Sequence, residues 1–170
     1  MDFVSLEKLF TDMAGLILDN ATEISLDYPQ DKIPECNADG NKIFMRIMEQ
    51  ESDYSKQLDI SYISTEETII KHSSRTRVWE VLFAAYGPQA HQNVTQIKDG
   101  VFRQDTKKLL STSGVFLVPD GKPCLRNTDP KVVGNMSRWD IALSFNELYI
   151  LPDEDVGRIE QVEISTKYNK

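Results

Sequence analysis

Apolar residues recur along this chain with two different periods. Phe3, Leu6, Phe10, Met13, Leu16 and Ile17 fall at spacings of three and four, which predicts an amphipathic helix over 3–19. Ser5 with Lys8 makes no capping box, so its start is soft, and Asp19-Asn20 suits its end. From Ile43 to Glu51 the period falls to two, with Ile43, Met45 and Ile47 on one face and Phe44, Arg46 and Met48 on the other. Both faces are partly apolar, as expected of a strand in a sheet covered on both sides. Residues 52–67 are polar and charged around Ile60, Tyr62 and Ile63 and read as a long loop; Thr68–Ser73 reads as a short strand beyond it.

The clearest strand is Val78–Tyr86, in which Trp79, Val81, Phe83 and Ala85 share a face and Glu80 is the one charge. Gly87-Pro88 ends it, because proline donates no hydrogen bond and fixes φ. Pro88 also suits the first turn of a helix over 89–102, with Ala90, Val94, Ile97 and Val101 inward, and Gly100 weakens that helix near its end. Further on come a helical turn at Lys107–Leu110, a break at Ser111–Gly114, an extended Val115–Val118, a turn at Pro119–Pro123 and a polar loop over 125–135. Arg138–Ile150 alternates with Trp139, Ile141, Leu143 and Phe145 on one face. Leu151–Asp155 reads as a turn, after which 159–166 alternates again and is placed to form a hairpin with 138–150. Nothing divides the 170 residues, so the expectation is one α/β (α+β) domain over 1–170, with variable loops at 20–42 and 52–67.

Charge sharpens this picture. The net charge is −8, but residues 1–70 hold 15 acids and 5 bases while 71–170 hold 12 acids and 14 bases. An acidic surface repels phosphates, which excludes general nucleic-acid binding. The opening MDFVSLEKLF lacks the basic segment of a signal peptide, no run is apolar enough to span a bilayer, and cytoplasmic synthesis is the expectation. Cys36 and Cys124 lie 88 positions apart without a CxxC pair, so free thiols are expected and no zinc site.

Candidate chemistry is thin. His72 and His91 stand alone, and there is no HExxH, GxSxG, GxxxxGK[ST] or GxGxxG pattern. Asp153-Glu154-Asp155 lacks the spacing of a calcium loop and reads as a solvated tip. Lys107-Lys108 is too short a basic run for nucleic acid. Trp79 and Trp139 read first as core aromatics and second as interface anchors. No catalytic residue, cofactor or metal is expected.

The order of parts resembles the neck terminator or tail terminator proteins of tailed bacteriophages. Tyr86-Gly87 followed by helix 89–102, and the strand Arg138-Trp139-Asp140-Ile141-Ala142-Leu143-Ser144-Phe145, carry the likeness, which covers about residues 1–20 and 43–166. The resemblance implies a mixed, mostly antiparallel sheet flanked by helices and a structural virion protein, assembled in the host cytoplasm. It implies a homohexameric ring that caps the tail tube, docks to the head connector, contacts tail-tube or sheath proteins and lets DNA pass. A closed ring needs two unlike patches, and the charge split supplies them. Arg103, Lys107, Lys108 and Trp139 are the subunit-interface candidates. The rivals are a small α/β ligand-binding domain or enzyme with its site near Tyr86–Pro88, and a peptide binder using the strand edge 159–166.

Overall fold

The computed structural model describes residues 1–19, 22–26, 40–65, 68–127 and 137–156. Its organising element is a strand far longer than the pattern predicts. The expected pieces 68–73 and 78–86 are one continuous strand, β4, over Ile69–Tyr86. At about 3.3 Å per residue it runs roughly 60 Å. The polar residues between the two pieces do not interrupt it, because both of its edges are occupied by other strands.

Two strands follow one edge of β4. The upper is β2, Lys42–Gln50, opposite Val78–Tyr86, and the lower is β3, Asp59–Ser64, opposite Ile69–Ser74. The segment 52–67, expected to be a loop, thus holds a 3-10 turn at Tyr54–Lys56 and then a strand. The other edge pairs with β7, Arg138–Ile150, from Tyr86 down to Ser74. Leu151–Asp155 is not a turn: Leu151 N–H donates to the Ser73 carbonyl, and β8, Glu154–Asp155, continues along β4 opposite Lys71 and Ile70. The expected hairpin partner 159–166 lies outside the described residues, as does most of the expected loop 20–42.

Shorter strands complete the sheet. β1, Glu23–Leu26, lies parallel to β2, while β5, Val115–Val118, and β6, Leu125–Asn127, lie antiparallel to β7. The segment from 125, expected to be loop, therefore begins with a strand. The architecture is mixed α+β; among the described residues the sheet has eight strands, antiparallel except for β1 and β2.

Three helices cover one face. They are α1, Phe3–Ile17; α2, Ala90–Gly100; and α3, Gln104–Thr112, the last a full helix where a single turn is expected. The start of α1 is not soft: the Asp2 carboxylate caps it by accepting from Ser5 N–H at 2.7 Å, and that bond holds the Asp2 carboxyl below its ordinary range. Leu6, Phe10, Met13 and Ile17 pack inward as the spacing predicts, but Phe3 and Leu16 are exposed. Ala90, Val94, Ile97 and Val101 meet Val81, Phe83, Ile141 and Phe145 in one core, where Phe10 and Phe145 rings lie 4.8 Å apart. The opposite face carries no helix among the described residues, where helices on both sides were expected. Phe44, Ala84 and Tyr86 form only a small cluster there.

Gly100 has a packing role that its position near a helix end conceals. A Cβ on Gly100 would lie 2.4 Å from Ile17 Cγ2, so its missing side chain sets how closely α2 approaches α1. Trp79 is a core residue, and its indole N–H donates to the buried Glu147 carboxylate at 2.8 Å. Glu147 also accepts from the Met1 amino group, so its charge is compensated.

Gly100→Ala should lower stability by about 1–3 kcal/mol although alanine favours helix, because the clash with Ile17 outweighs propensity. Glu147→Ala should cost about 2–4 kcal/mol by leaving buried donors unpaired, and Glu147→Gln clearly less. Urea midpoints followed by tryptophan fluorescence check both. Midpoints equal to the parent's would refute the corresponding contact.

Candidate functional site

The basic residues singled out by sequence gather on and just before α3. Chain direction changes at Val101-Phe102-Arg103, where Val101 stays in the core and Phe102 is half exposed. Arg103 takes the N-cap position in extended geometry, without a side-chain cap. Its guanidinium instead grips Asp105, with Nη2 to Oδ2 at 2.6 Å and Nε to Oδ1 at 3.2 Å. That pairing, helped by Thr106 N–H, holds the Asp105 carboxyl below its ordinary range. Thr106 and Leu110 face the core, which turns Lys107 and Lys108 outward. Their ammonium groups have no partner among the described residues.

Beside α3, the outermost strand β5 pairs with β7 alone among the described residues. Its alternation buries Val115 and leaves Phe116 53% exposed. A groove of about 490 Å³ results, lined by Phe102, Lys107, Lys108, Leu110, Phe116 and Leu117 among others. It combines two exposed aromatic rings with two unpaired cations.

Trp139 lies elsewhere. It is half-buried at the start of β7, donates to Ser137 Oγ, and packs its ring 4.3 Å from that of His91 at the start of α2. His91 and Arg103 both line a second, open hollow of about 700 Å³ along α2, with Ile17, Gln96 and Asp99. Three of the four candidates thus share the α3 end, and Trp139 stands at the other end of α2.

A further surface went unnoticed in the sequence. Below the core, β3, the first half of β4 and β8 form a projecting ribbon. All six residues of β3 are exposed. Ile60 and Tyr62 stand on one face, while Ile63, Leu148 and Ile150 stand on the other, exposed by 47–65%. The available signal was the alternation Asp-Ile-Ser-Tyr-Ile-Ser, masked by the polar residues around it. Asp153, Glu154 and Asp155 pair with His72, Lys71 and Thr68, so this acidic run fixes β8 to β4. Among the described residues no group of three or more metal-ligating side chains comes together.

The open face of the sheet is polar and pinned. The turn after β5 folds across it, and Lys122 reaches Glu80 on β4 and Ser144 on β7. Ser144 also donates to Asp120. Burial alone would raise the Asp120 carboxyl, but hydrogen bonds from Ser144 and Lys122 outweigh it and hold the group below 3.8. Next to it, Arg138 and Asn127 hold the buried Asp140. Cys124 is a free thiol that burial pushes up, away from the reactive thiolate.

At the alternative ligand site, Tyr86–Pro88, the chain is packed. Tyr86 is fully buried against Phe44, and a Cβ on Gly87, at φ +106°, would lie 2.3 Å from the Gly40 carbonyl. Asn41 closes the turn by accepting from Gln89 N–H and donating to the Gln89 side chain.

The family model of the phage neck terminator protein matches residues 9–170. No curated protein is a significant match.

Asp120 makes the pinned turn acid-sensitive. A lowered carboxyl stabilises the fold above its ordinary range and loses that contribution as pH falls through the lowered value. The stability gap between the parent and Asp120→Asn should therefore stay constant from neutral pH to about 5 and close on acidification below about 4. Urea midpoints across that range check this, and a gap that does not narrow at all on acidification would refute the role of the charge.

Proposed function

Because the chain belongs to the phage neck terminator protein family and so has a structural part in the phage neck, we propose that it works there as a ring at the head–tail junction. The ring caps the tail tube, docks to the head connector and leaves a central passage for DNA. Six copies are the expected number. The match over residues 9–170 carries this reading. The packed Tyr86–Pro88 turn favours it over a ligand-binding domain or enzyme acting at that place.

The chemistry of the surface fits assembly. A cyclic ring joins two different patches of each subunit. Residues 1–70 carry a balance of −10 and residues 71–170 one of +2. Arg103, Lys107 and Lys108 supply the basic side of the interface, and Trp139 borders it beside His91 at the far end of α2. Acidic residues facing the passage let DNA slide without binding, because phosphates are repelled by them. Partners are other head and tail proteins of the virion, and contact with the tail tube gives the ring its place. No helix among the described residues is long and apolar enough to cross a membrane.

Light scattering on the purified chain should give the mass of six subunits, in free solution or on addition of tail tubes. Raising salt from about 0.1 M to 1 M should weaken the ring, since the screening length falls from about 10 to 3 Å. Charge reversal at Arg103, Lys107 and Lys108 together should weaken it at low salt. A chain that stays monomeric under all these conditions would overturn the ring, and a ring indifferent to both salt and reversal would overturn its electrostatic basis.

A further inference from the structure

We propose that Arg75 and Arg77, set against Tyr149 on the helix side of the lower half of β4, form a binding site for an acidic segment of another protein. The inference concerns the surface of one subunit and stands whether or not six copies close into a ring.

Register places the two arginines together. Side chains two apart on a strand share a face. Trp79 faces the helices, so Arg77, Arg75, Ser73 and Lys71 project on that same side, where no α-helix lies over them among the described residues. Tyr149 stands opposite Arg75 on β7, and Tyr62 and Ile60 stand opposite Lys71 and Ser73 on β3. The start of α1 borders this surface, with the Phe3 ring 6.5 Å from that of Trp79.

The row carries three cations, and the subunit neutralises one. Lys71 pairs with Glu154 at 2.8 Å. Glu147 stands opposite Arg77, but its carboxylate is taken by the Met1 amino group and the Trp79 indole. Glu49, opposite Trp79 on β2, pairs with neither arginine. Arg75 and Arg77 make no ion pair or hydrogen bond among the described residues, and the Nε–H of each is buried without an acceptor. Tyr149 holds them instead, with the guanidinium carbons 5.7 and 3.5 Å from the centre of its ring. Two like charges are thus fixed on neighbouring positions of one face, about 7 Å apart along the strand. Both residues are partly exposed, so the charge is open to an anion from outside. An anion between them relieves their repulsion and accepts from their unpaired donors.

The surroundings decide which anion. Phe3, Ile60 and Tyr62 are exposed by 47–62% beside the arginines. A nucleic-acid backbone brings phosphates but no apolar side chains to meet them, and a chain of net charge −8 repels it. A protein segment with a carboxylate beside an apolar side chain satisfies both requirements. Its carboxylate accepts from the guanidiniums while its apolar neighbour covers Phe3 or Tyr62. Arg and Tyr are also residue types on which binding energy concentrates at protein interfaces. A member of a phage neck family meets other head and tail proteins, and these are the source of such a segment.

The test is a titration of the full chain, with NMR following the side-chain Nε–H signals of Arg75 and Arg77. The probes are a short peptide alternating Leu and Glu, the same peptide with Gln for Glu, and a short DNA duplex. The Leu-Glu peptide should shift both arginine signals. Arg75→Gln with Arg77→Gln should weaken its binding about tenfold or more by fluorescence anisotropy. Should that variant fail to fold, the titration of the unaltered chain decides alone. Arginine signals that stay still would overturn the site, and an equal response to the Gln peptide would overturn the role of charge. Tighter binding of the duplex would replace the protein partner with a phosphate backbone. Binding kept in the arginine variant but lost in Lys107→Gln with Lys108→Gln would overturn the site in favour of the α3 groove. A monomer that binds the peptide overturns the ring alone, and a ring that does not bind it overturns this site alone.

Discussion

Everything in this molecule hangs on the backbone of one strand. An 18-residue strand presents a row of N–H and C=O groups on each edge, and these groups need partners along its length. The chain meets that demand by sending β2 and then β3 down one edge, and β7 and then β8 down the other. The 3-10 turn at Tyr54–Lys56 and the kink at Leu151–Asp153 are where each edge skips residues and resumes pairing. With β4 fixed, the places of the other strands follow.

The two halves of β4 differ in what stabilises them. The half from Val78 to Tyr86 lies beneath three helices, and its inward side chains join a continuous apolar core. The half from Ile69 to Arg77 has no α-helix over it among the described residues. It depends on strand pairing, on ion pairs such as Lys71 with Glu154, and on the Arg77 guanidinium stacked 3.5 Å from the centre of the Tyr149 ring. Exposed ion pairs contribute little, so the lower half gains less from burial than the upper. A phage neck component works by contact with other head and tail proteins, so exposed surface of this kind suits it better than a second closed core would. Away from the polar, pinned face of the sheet and the packed Gly87 turn, the ribbon and the α3 groove both expose apolar side chains among the described residues.

How much of this was readable from residues alone depends on where the signal came from. Helices α1 and α2 and strands β2, β5 and β7 were legible because each buries one periodic stripe, and a stripe survives in sequence. Phe3 and Leu16 were assigned inward by spacing yet stand exposed, since the stripe shifts to Leu9 and Ala14. Strand β3 was missed because none of its residues is buried, and periodicity reports burial. The union of 68–73 with 78–86 was missed because Ser74, Arg75, Thr76 and Arg77 break the apolar alternation between the two pieces; their backbone is held by neighbours remote in sequence. The candidates Arg103, Lys107 and Lys108 were named for charge, and the structure adds that Lys107 and Lys108 adjoin Phe102 and Phe116 at one groove, a juxtaposition made by the α3–β5 connection, while Arg103 pairs with Asp105 and lines the hollow along α2.

The sequence by itself determined the elements that face the core, the α+β character, the uneven charge and the likeness to neck terminators. Those are properties of composition and short-range period, which hydrophobic burial imprints locally. Only the tertiary structure decided that β4 is one strand, that α1, α2 and α3 lie on one face, and that Lys107 and Lys108 adjoin Phe102 and Phe116 at one groove. These depend on backbone hydrogen bonds between residues as far as 87 positions apart, such as Val156 and Ile69. Backbone groups are the same in every non-proline residue, so the choice of their partners leaves no local trace in the side chains.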